Sequence, residues 1–290
     1  MTDQPTAVPV CFRHPGRETW VRCTRCERPI CPDCMTPAAV GFQCPECVKA
    51  GRVPTTVSPF GGSAAGAHGY VTKTLLGLNI LAMLISIISA GGSGMFGGSM
   101  GGLMGGSTPF TLWGSQWAYG VADGQYYRMF TSMFLHYGLL HLALNMWALW
   151  ILGRNLEAGL GPVRYLALYL LSGLGGSVAV YLFTDPRVAT AGASGAIFGL
   201  FAGLFIVLRK LGRDTSSVLP VIAANLVFTF LVPGISIAGH LGGLITGALV
   251  AVAIAYAPRT GRNAVQLGGC IGVFVLLLVL TLARTALLTS

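Results

Sequence analysis

Seven apolar stretches, most of them near 20 residues long and almost free of charge, follow one another from residue 70 onward. That pattern leaves a chain few ways to fold. About 20 apolar residues in a helix cross the ~30 Å hydrocarbon core of a bilayer, where every backbone N–H and C=O must be satisfied internally. The stretches cover residues 70–90, 139–156, 163–183, 191–208, 218–232, 235–257 and 265–288. Composition agrees, because 53% of the residues are hydrophobic and only 9% are charged, where a soluble domain carries about 25%. The sequence therefore predicts an all-α polytopic membrane protein, with a seven-span bundle over residues 70–290. The fifth stretch is short and is expected to lean on its neighbours or extend into its loops. The seventh holds Arg284 near its end, where a long side chain reaches the headgroups.

Lys and Arg set an orientation. With the N-terminus in the cytosol and seven crossings, the cytosolic side collects Lys73, Arg154, Arg164, Arg209, Lys210, Arg213, Arg259 and Arg262. The outer side keeps Arg128, Arg187 and Arg284. Positive residues favour the cytosolic side of a span, so the chain reads as N-in and C-out in the cell membrane. The same rule accounts for the net charge of +9, which then gives no reason to invoke nucleic acid. Between the first two spans, residues 91–107 are a low-complexity run of Gly, Ser and Met. Residues 109–136 hold Trp113, Trp117, Tyr119, Tyr126 and Tyr127, an aromatic mixture typical of the membrane–water interface. Short helices lying partly in the outer leaflet are expected there.

The first 52 residues form a separate, polar, Cys-rich head with no apolar leader, and residues 53–69 read as a flexible linker of Pro, Gly, Ser and Ala. Seven of the eight Cys lie in the head, while Cys270 stands alone in an apolar run as an inert thiol. The head's pairs are Cys11-x2-His14, Cys23-x2-Cys26, Cys31-x2-Cys34 and Cys44-x2-Cys47. A two-residue spacing lets both side chains of a pair reach one ion, so these eight ligands suit two structural Zn²⁺. Disulfides are the alternative, but a cytosolic head stays reduced and His14 has no part in one. The order of pairs resembles a B-box-type zinc finger, with Cys where a B-box usually has His in the last pair. That resemblance implies cross-bracing: Cys11, His14, Cys31 and Cys34 on one ion, and Cys23, Cys26, Cys44 and Cys47 on the other. Sequential pairing stays open. Arg13, Arg17, Arg22, Arg25 and Arg28 give the head either a solvated face or a surface for anionic headgroups or an acidic protein partner.

Within the spans, polar side chains are costly and so become functional candidates. His141 and Asn145 lie in the first two turns of the second span, Ser194 about three residues into the fourth, and His240 about five into the sixth. All three spans begin on the outer side in the N-in arrangement. At 1.5 Å per residue the four side chains fall within roughly 10 Å of the outer helix ends. His141 and Asn145, at i and i+4, share a face. Gly195, Gly199 and Gly203 on one span, and Gly239, Gly243 and Gly247 on another, form ridges that let backbones approach. Ser194 is then placed to meet His240.

These motifs resemble the rhomboid family of intramembrane serine proteases, over residue 70 to the end. Gly192-Ala193-Ser194-Gly195 matches its nucleophile motif, and His141-Leu142-Ala143-Leu144-Asn145 its H-x3-N. Gly239-His240-Leu241-Gly242-Gly243 matches its A-H-x-x-G, with Gly for Ala. Tyr127-Arg128 stands where Trp-Arg is usual, and Phe198 where an aromatic stacks on the base histidine. The resemblance implies a six-span core plus one C-terminal span and a Ser194–His240 dyad. It also implies cleavage of transmembrane-helix substrates, from single-pass proteins, near the outer face. No Asp or Glu shares the depth of His240, since Asp185 lies in a loop and Glu157 at the far end of its span, which favours a dyad over a triad. Asn145, His141 and the Ser194 N–H would hold the oxyanion, with no cofactor in the chemistry. An inactive rhomboid relative that binds membrane helices, and a transporter or receptor with a cytosolic zinc module, are the alternatives.

Overall fold

The computed structural model describes residues 8–51, 58–63, 68–91 and 106–289. Most of the low-complexity run 91–107 lies outside the described residues, as do 52–57 and 64–67 of the head–linker region. The chain divides between residues 55 and 56 into two units.

In the N-terminal unit, β1 (Val10–Cys11) pairs antiparallel with β2 (His14–Glu18), and β3 (Thr36–Pro37) with β4 (Phe42–Gln43). A 3₁₀ turn at Pro32–Cys34 and helix α1 (Pro45–Gly51) complete it. Ladders this short cannot hold a fold. The interior consists of Ile30 and the buried thiols of Cys11, Cys23, Cys31, Cys34, Cys44 and Cys47, with Phe12 and Met35 against them. A domain of this size with so little apolar core normally depends on disulfides or metal.

The second unit is helical. Its elements are α2 (Tyr70–Ser89), the short α3 (Pro109–Gly114), α4 (Ala118–Ala122) and α5 (Arg128–Thr131), α6 (Leu139–Leu160), α7 (Pro162–Phe183), α8 (Ser194–Lys210), α9 (Val218–Leu231), α10 (Ile237–Ala255) and α11 (Arg262–Thr289). Each expected span carries a helix, but not every helix is long enough to cross a bilayer. α2, α7, α10 and α11 pass on length and apolarity, and α6 does so only together with residues 128–134, from which it bends by 88°. α8 has 17 residues and α9 has 14. The reason for α8 is local: the chain is turned just before Ser194, so that serine starts a helix instead of lying inside one.

The burial pattern places α7 at the centre, with 61% of its apolar window enclosed, and α11 at the edge, with 17%. Tyr165 and Tyr169 of α7, Leu149 and Leu156 of α6, Leu200 of α8 and Ile254 of α10 are fully buried together. Lipid tails are as apolar as leucine, so helices in a membrane associate through close packing and hydrogen bonds. α8 and α10 do so through glycine. A Cβ on Gly243 would sit 1.9 Å from the Gly195 carbonyl oxygen, and one on Gly247 would sit 2.3 Å from the Gly199 Cα. The two expected ridges therefore meet, except that Gly203 instead faces Leu168 of α7, at 2.6 Å from its Cδ2.

Two buried polar contacts tie the opposite end of the bundle. The Glu157 carboxylate, fully buried on α6, accepts from the backbone N–H groups of Val71 (2.9 Å) and Thr72 (2.8 Å) and from the Thr72 hydroxyl (2.7 Å). It caps α2, whose own N-cap residue, Gly69, has no side chain to do so. Gln266 Nε2 donates to the carbonyls of Phe60 (3.0 Å) and Ile254 (2.9 Å), and Arg262 donates to Pro59 O (3.1 Å). Residues 58–63, expected as linker, thus form a turn docked on the helices, with Phe60 buried. At the edge, Arg284 Nε donates to the Tyr181 carbonyl at 3.3 Å, where the sequence suggested a headgroup partner. Cys270 is half-buried against the core.

The short helices α3 to α5 are held by carbonyl contacts. Arg128 is buried and donates to Leu112 O (3.0 Å) and Ser115 O (2.9 Å), with Gln125 on its Nε. Gln116 Nε2 reaches Ser177 O on α7 at 2.6 Å, and its backbone pairs with Thr190. The segment leading into Ser194 is thereby fastened to the loop.

Candidate active site and metal centres

Ser194 is the first residue of α8, and Ala193 before it offers no side-chain cap, so the first N–H groups of the helix lack intrahelical partners. His240 sits one turn into α10, behind the N-cap Ser236, which accepts from Gly239 N–H. The Gly195–Gly243 contact sets the separation of the two helices at this level. Across it, Ser194 Oγ and His240 Nε2 lie 2.8 Å apart. Phe198, one turn along α8, stacks on the His240 ring at 4.2 Å between centroids and 19° between planes. The stacked aromatic expected there is in place.

His141 borders the same space. A Cβ on Gly192 would come 3.0 Å from His141 Nε2 and 3.5 Å from Ser194 Oγ. Gly192 has φ +146°, a conformation that L side chains rarely adopt, and its N–H donates to Ser132 O at 2.9 Å. His141, Gly192 and Ser194 therefore enclose a small polar recess. Asn145 is buried and uses one amide N–H on the His141 carbonyl at 2.8 Å, which leaves its second N–H for another acceptor. Gly192→Ala should put a methyl group into that recess. Turnover of a cleavable substrate is expected to fall by at least about 10²-fold, the usual loss on removing an oxyanion donor. Measured kcat beside the melting temperature would check it, and an active, well-folded variant would count against the recess.

Two contacts were not anticipated from sequence. His136, 2% exposed, packs edge-on against His141 at 4.9 Å and fixes that ring from behind. Thr229 of α9, also 2% exposed, places Oγ1 2.7 Å from His240 Nδ1. The position a carboxylate holds in a triad is thus filled by a hydroxyl. Only polarity inside an apolar run could have flagged Thr229, and a threonine there also satisfies itself on its own helix.

In the N-terminal unit the eight ligand candidates form two groups: Cys11, His14, Cys31 and Cys34, and separately Cys23, Cys26, Cys44 and Cys47. Within each group all ligand atoms lie within 4.8 Å of one another. Cys11 Sγ and Cys34 Sγ are 3.9 Å apart, Cys26 Sγ and Cys44 Sγ 3.8 Å, and His14 Nδ1 is 3.3 Å from Cys31 Sγ. Those separations are far beyond an S–S bond. They match the edges of a tetrahedron with metal–sulfur distances of about 2.3 Å. The residues fit zinc, and they are grouped as cross-bracing requires. Arg28 donates to Cys26 Sγ at 3.3 Å, and this guanidinium holds the Cys26 thiol below its ordinary pKa, toward the thiolate a metal needs.

The Rhomboid domain model matches residues 123–257. The chain is 40% identical over 146 residues to "Rhomboid protease GluP" of Bacillus subtilis (strain 168), covering 49% of this chain and 28% of that protein. It is 35% identical over 136 residues to "Putative rhomboid protease YdcA" of the same organism, covering 45% and 68%. With "Rhomboid protease AarA" of Providencia stuartii it shares 33% over 169 residues, covering 49% and 60%. The matches thus span from 28% of one relative's length to 68% of another's. With an apolar helical bundle and these relatives, the chain is a multi-pass integral membrane protein that belongs to the rhomboid family.

Proposed function

We propose that the protein is an intramembrane serine endopeptidase that cuts transmembrane helices of single-pass proteins near the outer face of the cell membrane. The observation that carries this reading is the 2.8 Å contact between Ser194 Oγ and His240 Nε2. A serine is a weak nucleophile until a base takes its proton. Here His240 Nε2 receives it as Oγ attacks the scissile carbonyl. The oxyanion would form beside Gly192, with the second Asn145 amide N–H, His141 and the Ser194 backbone N–H as its donors. His240 then gives the proton to the leaving amine. Water, activated by the same imidazole, releases the acyl group from Ser194.

The short α8 supports a site set below the membrane surface. Its 17 residues rise about 26 Å, less than the ~30 Å hydrocarbon core. Loop charges favour an N-in, C-out arrangement, which faces the serine outward. A substrate helix must unwind there, because helical hydrogen bonds shield its peptide bonds. The N-terminal unit would hold two structural zinc ions on the two ligand groups. Every ligand position is filled by protein, so these ions give no open site for catalysis.

A serine-directed fluorophosphonate applied to the purified full-length protein tests this directly. Wild type should be labelled and should cleave a transmembrane reporter, and Ser194→Ala should do neither. Equal labelling of the two would sink the protease reading and leave a rhomboid-like helix-binding protein.

A further inference from the structure

His240 touches two oxygens, and the second one decides which proton the ring carries. Its Nε2 meets Ser194 Oγ at 2.8 Å and its Nδ1 meets Thr229 Oγ1 at 2.7 Å. Thr229 Oγ1 also lies 2.8 Å from the carbonyl of Asn225, one turn back on α9. A hydroxyl has one hydrogen and two lone pairs. The carbonyl can only accept, so the Thr229 proton belongs on Asn225 O and the oxygen turns a lone pair toward His240. Nδ1 must then carry the ring hydrogen. Nε2 is left bare, facing the proton it has to take.

The burial of α9 singles the residue out. Among its described residues only Val218 and Thr229 are buried, while Val221, Val227, Phe228, Phe230 and Leu231 are exposed apolar side chains suited to lipid. The one polar side chain that the helix turns inward is the one that meets the imidazole. Asn225, at i−4, is more exposed and spends its amide on the Val221 carbonyl at 2.8 Å.

We infer that Thr229 is a positioning residue of the reaction: its hydroxyl, anchored on the Asn225 carbonyl, fixes the base tautomer of His240 and accepts the Nδ1–H of the imidazolium. This rests on the serine-protease reading above. It supplies, with a neutral group, what a carboxylate supplies in a triad. While the tetrahedral intermediate exists, both ring nitrogens bear hydrogen. Nδ1–H then needs an acceptor on the buried side of the ring, where Thr229 is 2% exposed. Thr229 Oγ1 is already aimed, and its own hydrogen does not have to move. Without it the ring could turn over to the Nε2–H tautomer, which donates to Ser194 and cannot deprotonate it.

The test uses full-length protein in lipid bilayers with Thr229→Val, which keeps the shape and removes the hydroxyl, and Thr229→Ser, which restores it. Three quantities are read: kcat and KM for a transmembrane reporter, the fluorophosphonate labelling rate of Ser194, and the ¹⁵N resonances of the His240 ring, assigned by difference against His240→Ala. Thr229→Val should lower kcat and labelling by about 10- to 100-fold, the range expected for one hydrogen bond to a charged group, with KM changed less than about threefold. Thr229→Ser should keep most of the rate. In wild type the His240 spectrum should show hydrogen on Nδ1, and in Thr229→Val it should shift toward the other tautomer. A Val variant within twofold of wild type, a Ser variant as slow as Val, or an unchanged His240 tautomer would each overturn the assignment. If wild type itself behaves like Ser194→Ala, the protease reading fails instead. The ring spectra would still report on the Thr229 contact.

Discussion

His240→Ala is expected to lower turnover of a transmembrane substrate by about 10⁴- to 10⁶-fold, and adding Ser194→Ala to it should cost almost nothing more. In the proposed dyad the two side chains act as one device across 2.8 Å, since without a base the hydroxyl keeps its proton and without the hydroxyl the base has nothing to activate. Effects of such a pair do not multiply. Residual turnover in either variant should come from the oxyanion donors and substrate binding alone, so it should be similar in both. Single-turnover rates of the two single variants and the double variant would show this. Multiplying losses would mean that the two residues act independently and would overturn the dyad.

The second large effect lies in the N-terminal unit. Wild type should carry two zinc ions per chain, and Cys23→Ser should carry one. Structural zinc contributes about 10–16 kcal/mol in small finger peptides, and this unit has little else in its interior than Ile30 and the thiols. Chelation should therefore make the unit protease-sensitive while the helices, a separate unit, stay folded. Cobalt substitution reads the pairing. If Cys23 shares its ion with Cys26, Cys44 and Cys47, the centre left in Cys23→Ser keeps His14 and shows a Cys₃His spectrum. Sequential pairing would leave a Cys₄ spectrum. Unchanged metal content would remove Cys23 from the ligand set.

Much of this protein can be read in its sequence because a bilayer makes polarity expensive. His141, Asn145, Ser194 and His240 stood out at one depth; the bundle brings Ser194 to His240 and His141 close to Gly192, with Asn145 bonded to the His141 carbonyl. The candidate metal ligands were legible from spacing, but their grouping came only from the B-box resemblance, which the two clusters match, because a two-residue gap brings a pair together without naming its partner pair. Thr229 was overlooked for a related reason. Its contact depends on how α9 is rotated, and a threonine and an asparagine in an apolar helix each satisfy themselves on the preceding turn, so neither signals a partner. The linker reading missed Phe60, where a single aromatic in a run of Pro, Gly and Ser is enough to dock a turn on the bundle. Hydropathy does not register the turn at Gly192, which starts α8 at its serine and shortens the fourth apolar stretch to a 17-residue helix.

The glycine contact between α8 and α10 has a consequence for how this protein can vary. Where side chains separate two helices, their spacing can be adjusted by degrees, one methyl group at a time. Here main chain meets main chain: a Cβ at residue 243 would lie 1.9 Å from a carbonyl oxygen. The gauge between Ser194 and His240 is thus cut into the polypeptide itself. It has no intermediate settings, and altering it means parting the helices.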